Sequence, residues 1–128
     1  MITVPENAVQ HKTAGPYSPV IKLKNVKDIV VISGQAALDF DGNVIGTTIE
    51  EQTEAVLRNC EMQLRNAGCS FSDVFKVNVF MKDLKDWGRF NEVYSRIMTK
   101  PYPVRTAVQT GLLDTFLVEI EMWAQCDD

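Results

Sequence analysis

Histidine is almost missing from this chain of 128 residues, and cysteine is scarce. A single histidine, His11, excludes a His-rich metal centre. Cys60, Cys69 and Cys126 are odd in number and share no CxxC spacing, which argues against a disulfide framework or a zinc site. No apolar run approaches the ~20 residues that span a bilayer. Residues 1–12 lack a basic region followed by an apolar stretch, so no signal peptide is expected. No basic run appears either. The net charge of −4 and pI near 5.0 count against nucleic-acid binding. The densest basic cluster, Lys22, Lys24 and Lys27, reads as a solvated strand edge. A nucleophile elbow, a phosphate-binding P-loop and a dinucleotide fingerprint are all absent. These absences leave a soluble, intracellular, cytoplasmic protein with no membrane partner as the expectation.

The length suits one domain, residues 1–128, with a single core. Residues 1–19 read as irregular, with Gly15-Pro16-Tyr17-Ser18-Pro19 as a turn or loop. Residues 20–24 alternate like a half-exposed strand, and 29–33 form a β-branched run that suits a buried strand. The first helix is the best-marked element. Thr48 and Glu51 make a capping box, and Ile49, Val56, Leu57, Cys60, Leu64 and Ala67 form one apolar stripe. Gly68 ends it in a left-handed conformation. Residues 74–82 read as a strand. Asp86 is placed to cap a second helix with the stripe Trp87, Phe90, Val93, Tyr94 and Ile97, which Pro101 and Pro103 forbid from continuing. Strands over about 104–110 and 116–125 close the chain. The fold class is α+β, a two-layer sandwich with both helices on one face of a small sheet.

The last strand directs attention to chemistry. Alternation puts Val118, Ile120, Met122 and Ala124 on one face and Leu117, Glu119, Glu121 and Trp123 on the other. Arg105, Ala107 and Gln109 alternate together on a strand expected to be its neighbour. An arginine beside carboxylates on a partly apolar surface suggests an oligomer interface or a site. Arg105 suits a substrate carboxylate, since its planar guanidinium donates two parallel hydrogen bonds and stays charged. A plain Arg–Glu salt bridge accounts for the same residues, and both readings stay open here. A carboxylate, Glu119 or Glu121, beside a bound substrate can orient water or carry a proton. Tyr17 is either a substrate-facing phenol or a turn residue, and Cys60 belongs to the core stripe.

Several short motifs, in shared order and spacing, resemble the RidA/YjgF/L-PSP family from about Ala14 to Ala124. They are Gly15-Pro16-Tyr17-Ser18, Ser33-Gly34-Gln35, Glu51-Gln52-Thr53, Asn91-Glu92-Val93-Tyr94, Pro103-Val104-Arg105-Thr106-Ala107-Val108 and Val118-Glu119-Ile120-Glu121. The resemblance implies a chorismate-mutase-like fold and a homotrimer with active sites between subunits. It implies hydrolysis of small reactive imines and enamines, of the 2-iminopropanoate and 2-aminoacrylate type, to keto acid and ammonia. Arg105 then binds the substrate carboxylate, Glu119 positions water and Tyr17 lines the pocket. Ser33, Gly34, Asn91 and Ala107 complete the substrate-binding set. No metal or organic cofactor is implied. An RNA-cleaving translation inhibitor is the alternative activity, and a non-catalytic ligand-binding module a third. The chain departs from the family pattern at Ala107, where cysteine is common. It also departs at Gln109, where glutamate is common, and in a turn one residue shorter at Leu112-Leu113-Asp114-Thr115.

Overall fold

The computed structural model describes residues 1–12 and 14–127. In chain order the elements are strands β1 (Ile2–Thr3), β2 (Lys22–Leu23) and β3 (Asp28–Gln35), helix α1 (Ile49–Asn66), strand β4 (Val74–Met81), helix α2 (Trp87–Ile97), and strands β5 (Val104–Gln109) and β6 (Val118–Cys126). Short 3-10 turns at Phe71–Asp73 and Leu84–Asp86 lead into β4 and α2. No helix among the described residues is long and apolar enough to cross a membrane.

Helix α1 forms where its sequence marks it. Thr48 Oγ1 accepts from the Glu51 N–H at 3.2 Å, and the Glu51 carboxylate accepts from the Thr48 N–H at 3.2 Å. The acidic side chain also lies at the positive end of the helix dipole. At the other end Gly68 has φ +83, the Gly68 N–H reaches Arg65 O and the Cys69 N–H reaches Leu64 O. These two bonds are those of a Schellman stop, which a left-handed glycine permits. Helix α2 starts differently from the expectation. Asp86 occupies the cap position without making the cap bond, and contacts Arg89 instead at 3.7 Å. The capping is done one turn earlier, where Asp83 accepts from the Lys85 N–H at 2.8 Å. Arg89 reaches across to Glu50 on α1, at 2.6 and 2.8 Å, and its hydrogen bonds hold the Glu50 carboxyl below its usual range.

The four long strands form one mixed sheet in the order β3-β6-β4-β5. β6 comes last in the chain and enters between β3 and β4, antiparallel to both, while β5 runs parallel to β4 at the edge. The final two strands are therefore not neighbours as the sequence suggested; β4 separates them. β1 and β2 pair in a small separate ribbon, so the first residues are not wholly irregular as read, and β2 is shorter than its alternation implied.

Both helices cover one face of the sheet. The stripe Ile49, Val56, Leu57, Cys60 and Leu64 packs with Phe90 and Tyr94 on Val77, Val79, Val118, Ile120, Met122 and Ala124, all fully buried. Burial also drives the Cys60 thiol pKa far up, which keeps it an inert core group.

Two polar features tie the layers together, and sequence reading missed both. Cys69 and Cys126 are joined by a disulfide across 57 positions, contrary to the expectation from an odd cysteine count. Closing a loop of that length restricts the unfolded chain by an amount equivalent to about 4 kcal/mol. Gln52 is buried beneath the shortened turn, where its amide donates to Gly46 O and Thr115 O and accepts from the Leu117 N–H at 2.8 Å. Gln52→Leu keeps the volume but strands three backbone groups. It is expected to cost about 2–3 kcal/mol. Thermal unfolding should then shift down by roughly 10 °C. An unchanged midpoint would show that the turn does not depend on this clamp.

Candidate functional site

The candidate residues fall into two groups on opposite sides of the sheet. Val77 and Val79 of β4 point into the helix layer, and their register partners on β5 are Arg105 and Ala107. Paired residues share a face, so Arg105 and Ala107 lie on the helix side. Glu119 pairs with Phe80, between the buried Val118 and Ile120, and lies on the other side. The sequence reading placed arginine and carboxylate on one surface. The structure separates them, and a salt bridge within one chain is excluded by the sheet itself.

On the helix side, Arg105 sits in a box of aromatic rings. Its guanidinium carbon is 4.7 Å from the Tyr94 ring centroid, 4.8 Å from Trp87, 5.5 Å from Tyr17 and 5.8 Å from Phe90. Trp87, Phe90 and Tyr94 come from one face of α2, where the sequence showed only a core stripe. Tyr17 arrives on the 15–19 loop, which is anchored to the segment before β5. There the Ser18 N–H bonds to Pro103 O at 3.1 Å and Ser18 Oγ donates to Tyr102 O. Gly15 closes the box. A β-carbon built there would lie 3.3 Å from Arg105 Nη2, 3.4 Å from Asn91 Nδ2 and 3.7 Å from the Tyr17 ring. The Gly-Pro-Tyr-Ser motif therefore brings a backbone against the arginine, and Asn91 joins the same cluster.

Each ring returns about 0.5–2 kcal/mol to a desolvated cation. The guanidinium's hydrogen-bond demand remains unmet. Arg105 Nη1 and Nη2 are shut off from solvent and find no acceptor among the described residues, and Asn91 Oδ1 likewise finds no donor. Burial lowers the Arg105 pKa from its usual value, though an arginine remains protonated. Unmet buried donors on a charged group each cost about 1–3 kcal/mol or more, and a planar carboxylate is the partner that satisfies two at once. Small clefts flank the arginine. One of about 210 Å³ is lined by Tyr17, Ser18, Lys76 and Thr106; another of about 330 Å³ lies between Leu84, Trp87 and Ala107. Gln109 serves the rim, its side-chain oxygen accepting from the Leu84 N–H at 2.8 Å.

On the opposite side, Gly34 lies in the irregular stretch of β3 between Ile32 and Gln35. Glu119 packs directly over it, and a β-carbon at Gly34 would collide with the carboxylate, lying 3.1 Å from its Cδ. Only glycine lets the acid lie across the strand. Ser33 is adjacent and exposed. Ser33, Gly34 and Glu119 thus make a second group, remote from Arg105, Tyr17, Asn91 and Ala107. Apolar side chains stand exposed on the same side of the sheet. Ile29 is 48% and Val31 60% exposed beside the half-buried Trp123 and Leu117.

Known proteins share this chain's sequence and fold. The family described as Endoribonuclease L-PSP matches residues 7–126. A RutC family protein of Saccharolobus solfataricus is 42% identical over 116 residues, covering 89% of this chain and 90% of its own. The 2-iminobutanoate/2-iminopropanoate deaminase of Mus musculus is 33% identical over 100 residues, covering 77% and 72%. The crystal structure of RidA from an Antarctic Psychrobacter superposes with a TM-score of 0.73 at 33% identity, covering 97% of this chain and 98% of that one. The two helices on one face of a mixed sheet are the architecture of those structures, and the chain belongs to the RidA/YjgF/L-PSP family.

Proposed function

We propose that the chain is an imine and enamine deaminase that hydrolyses small carboxylate-bearing substrates, of the 2-iminopropanoate and 2-aminoacrylate type, at sites shared between subunits of a homotrimer. The observation that carries this reading is the pair of unpartnered Arg105 Nη atoms inside an aromatic box. A substrate carboxylate supplies the missing acceptors. With the carboxylate fixed, the imine carbon is held where water can attack. Glu119 of an adjacent copy accepts a proton from water as the oxygen–carbon bond forms and passes it to the imine nitrogen, giving a carbinolamine. It then carries the hydroxyl proton to that nitrogen as the C–N bond breaks and the carbonyl forms. Ammonia leaves and the keto acid remains. Tyr17 and Asn91 line the pocket, and the Ala107 and Gly34 backbones close on the ligand. Ser33 borders it from the Glu119 side.

The opposed directions of Arg105 and Glu119 support sites shared between copies. Since Arg105 and Glu119 face opposite ways, no motion short of unfolding brings them together in one chain. A heterologous contact repeated around a closed ring sets one face of each copy against the edge of the next. The apolar Ile29, Val31, Leu117 and Trp123 surface is suited to such burial. The name of the matched family supplies an RNA-cleaving alternative, but the acidic balance and the single exposed His11 offer little for a phosphodiester. The test is to generate 2-aminoacrylate from serine with a dehydratase and follow ammonia release with and without this protein. Acceleration is expected; no acceleration with this or other amino-acid-derived imines would sink the reading.

A further inference from the structure

Away from both groups, Cys69, Asp73 and Cys126 converge. The three come from separate pieces of chain: the residue after the stop of α1, the 3-10 turn before β4, and the end of β6. One sulfur from each cysteine and one carboxylate oxygen all lie within 4.8 Å of one another. We propose that these residues form a redox-gated site for a soft divalent cation of the zinc class, occupied when the cysteines are reduced and abolished when they form the disulfide.

Three observations support the site. Its frame does not need the sulfur–sulfur bond: the Cys69 N–H is held by Leu64 O, Cys126 by pairing with Asp28, and Asp73 through Oδ2 by the Ser70 N–H at 2.8 Å. That last bond leaves Asp73 Oδ1 for an ion. Next, the cluster borders a cleft of about 400 Å³ lined by Gly68, Ser72, Asp73, Gln125, Cys126 and Lys27, which gives an ion a way in and room for water. Lys27 and Asp127, paired at 3.6 Å, also border this cleft. Finally, the donor set is selective. Two thiolates favour zinc-like ions over calcium or magnesium, and three protein ligands plus water complete a tetrahedron.

The two states exclude each other because the same sulfurs serve both. A dithiol reductant attacks the disulfide; the Cys69–Cys126 bond breaks, the reductant closes to its own cyclic disulfide, and two protein thiols result. The ion then binds as both thiols release their protons to solvent, forming two metal–sulfur bonds. Cys60 takes no part, being buried in the helix stripe.

Cobalt(II) is the probe. Fully reduced wild-type protein, freed of reductant, should bind one cobalt per chain with thiolate-to-cobalt charge-transfer absorption, and zinc should displace it. Protein oxidised with diamide should show no such band. Asp73→Asn retains the bond from the Ser70 N–H and both cysteines, yet should weaken binding roughly ten- to a hundredfold. Cys60→Ala should leave the band unchanged. Reduced wild type without a cobalt band overturns the proposal, as does undiminished binding by the oxidised protein or by Asp73→Asn. All of these readings are independent of deaminase activity.

Discussion

Arg105→Met is expected to lower kcat/KM for a carboxylate-bearing imine by about a thousandfold while leaving the chain folded. Two charge-assisted hydrogen bonds in a site closed to water are worth about 4 kcal/mol together, at the lower part of their range. That energy corresponds to roughly three orders of magnitude in rate. Methionine is the informative replacement because it refills the space among Trp87, Phe90, Tyr94 and Tyr17 with a side chain that packs well on rings. Loss of the cation–ring attraction is offset by relief of an unpartnered buried cation, so the net stability change should stay within about 1 kcal/mol. A stable keto acid offers a second readout. At a hundred times its Kd, pyruvate should stabilise the wild type by about 2.7 kcal/mol and the variant not at all. A variant that kept its rate would remove Arg105 from the reaction. A variant that lost its fold instead would show that the guanidinium is structural.

Local sequence foretold the elements whose cause is local. The Thr48–Glu51 box, the Gly68 stop and the alternation of β6 are written in adjacent residues, and each is present. Apart from the Asp86 cap, which makes no cap bond, what failed depended on partners distant in sequence. Periodicity says which residues share a face, not which strand lies alongside, so the insertion of β6 between β3 and β4 was out of reach. The direction of Arg105 failed for a related reason. Val104 and Val108 alternate with Arg105 and Ala107 on β5, so neither face is clearly apolar. The side facing the helices is set only by pairing with Val77 and Val79. The aromatic box was visible as a stripe at helical spacing, but nothing in that spacing says that an arginine will fill it. The disulfide had no local sign at all, because its cysteines meet only once α1 and β6 are packed.

Mixing two inactive variants should restore activity, and this tests the shared site directly. Arg105→Met removes the carboxylate clamp from one side of each site. Glu119→Gln removes the proton acceptor from the other, with a loss of about a hundred- to ten-thousandfold. If each site takes Arg105 from one copy and Glu119 from the next, a mixed ring contains some sites that combine the intact Arg105 of one chain with the intact Glu119 of its neighbour. After the two variants are denatured together, refolded and randomly assembled in equal amounts, about a quarter of the interfaces are of this kind. Recovered activity should therefore approach a quarter of the wild-type value, far above either parent. The same mixture left unexchanged should stay at the parental level. If the exchanged mixture recovers nothing although mass measurement shows mixed rings, both groups do not serve a site between chains, and the subunit-bridging mechanism fails even if the deaminase activity stands. Gly34→Ala refines the result from the Glu119 side. An added methyl group displaces a flexible carboxylate rather than backbone, so the fold should persist while activity falls. In a Gly34→Ala, Glu119→Gln double variant the two losses should add less than fully, since the methyl group acts mainly by moving an acid that is no longer there.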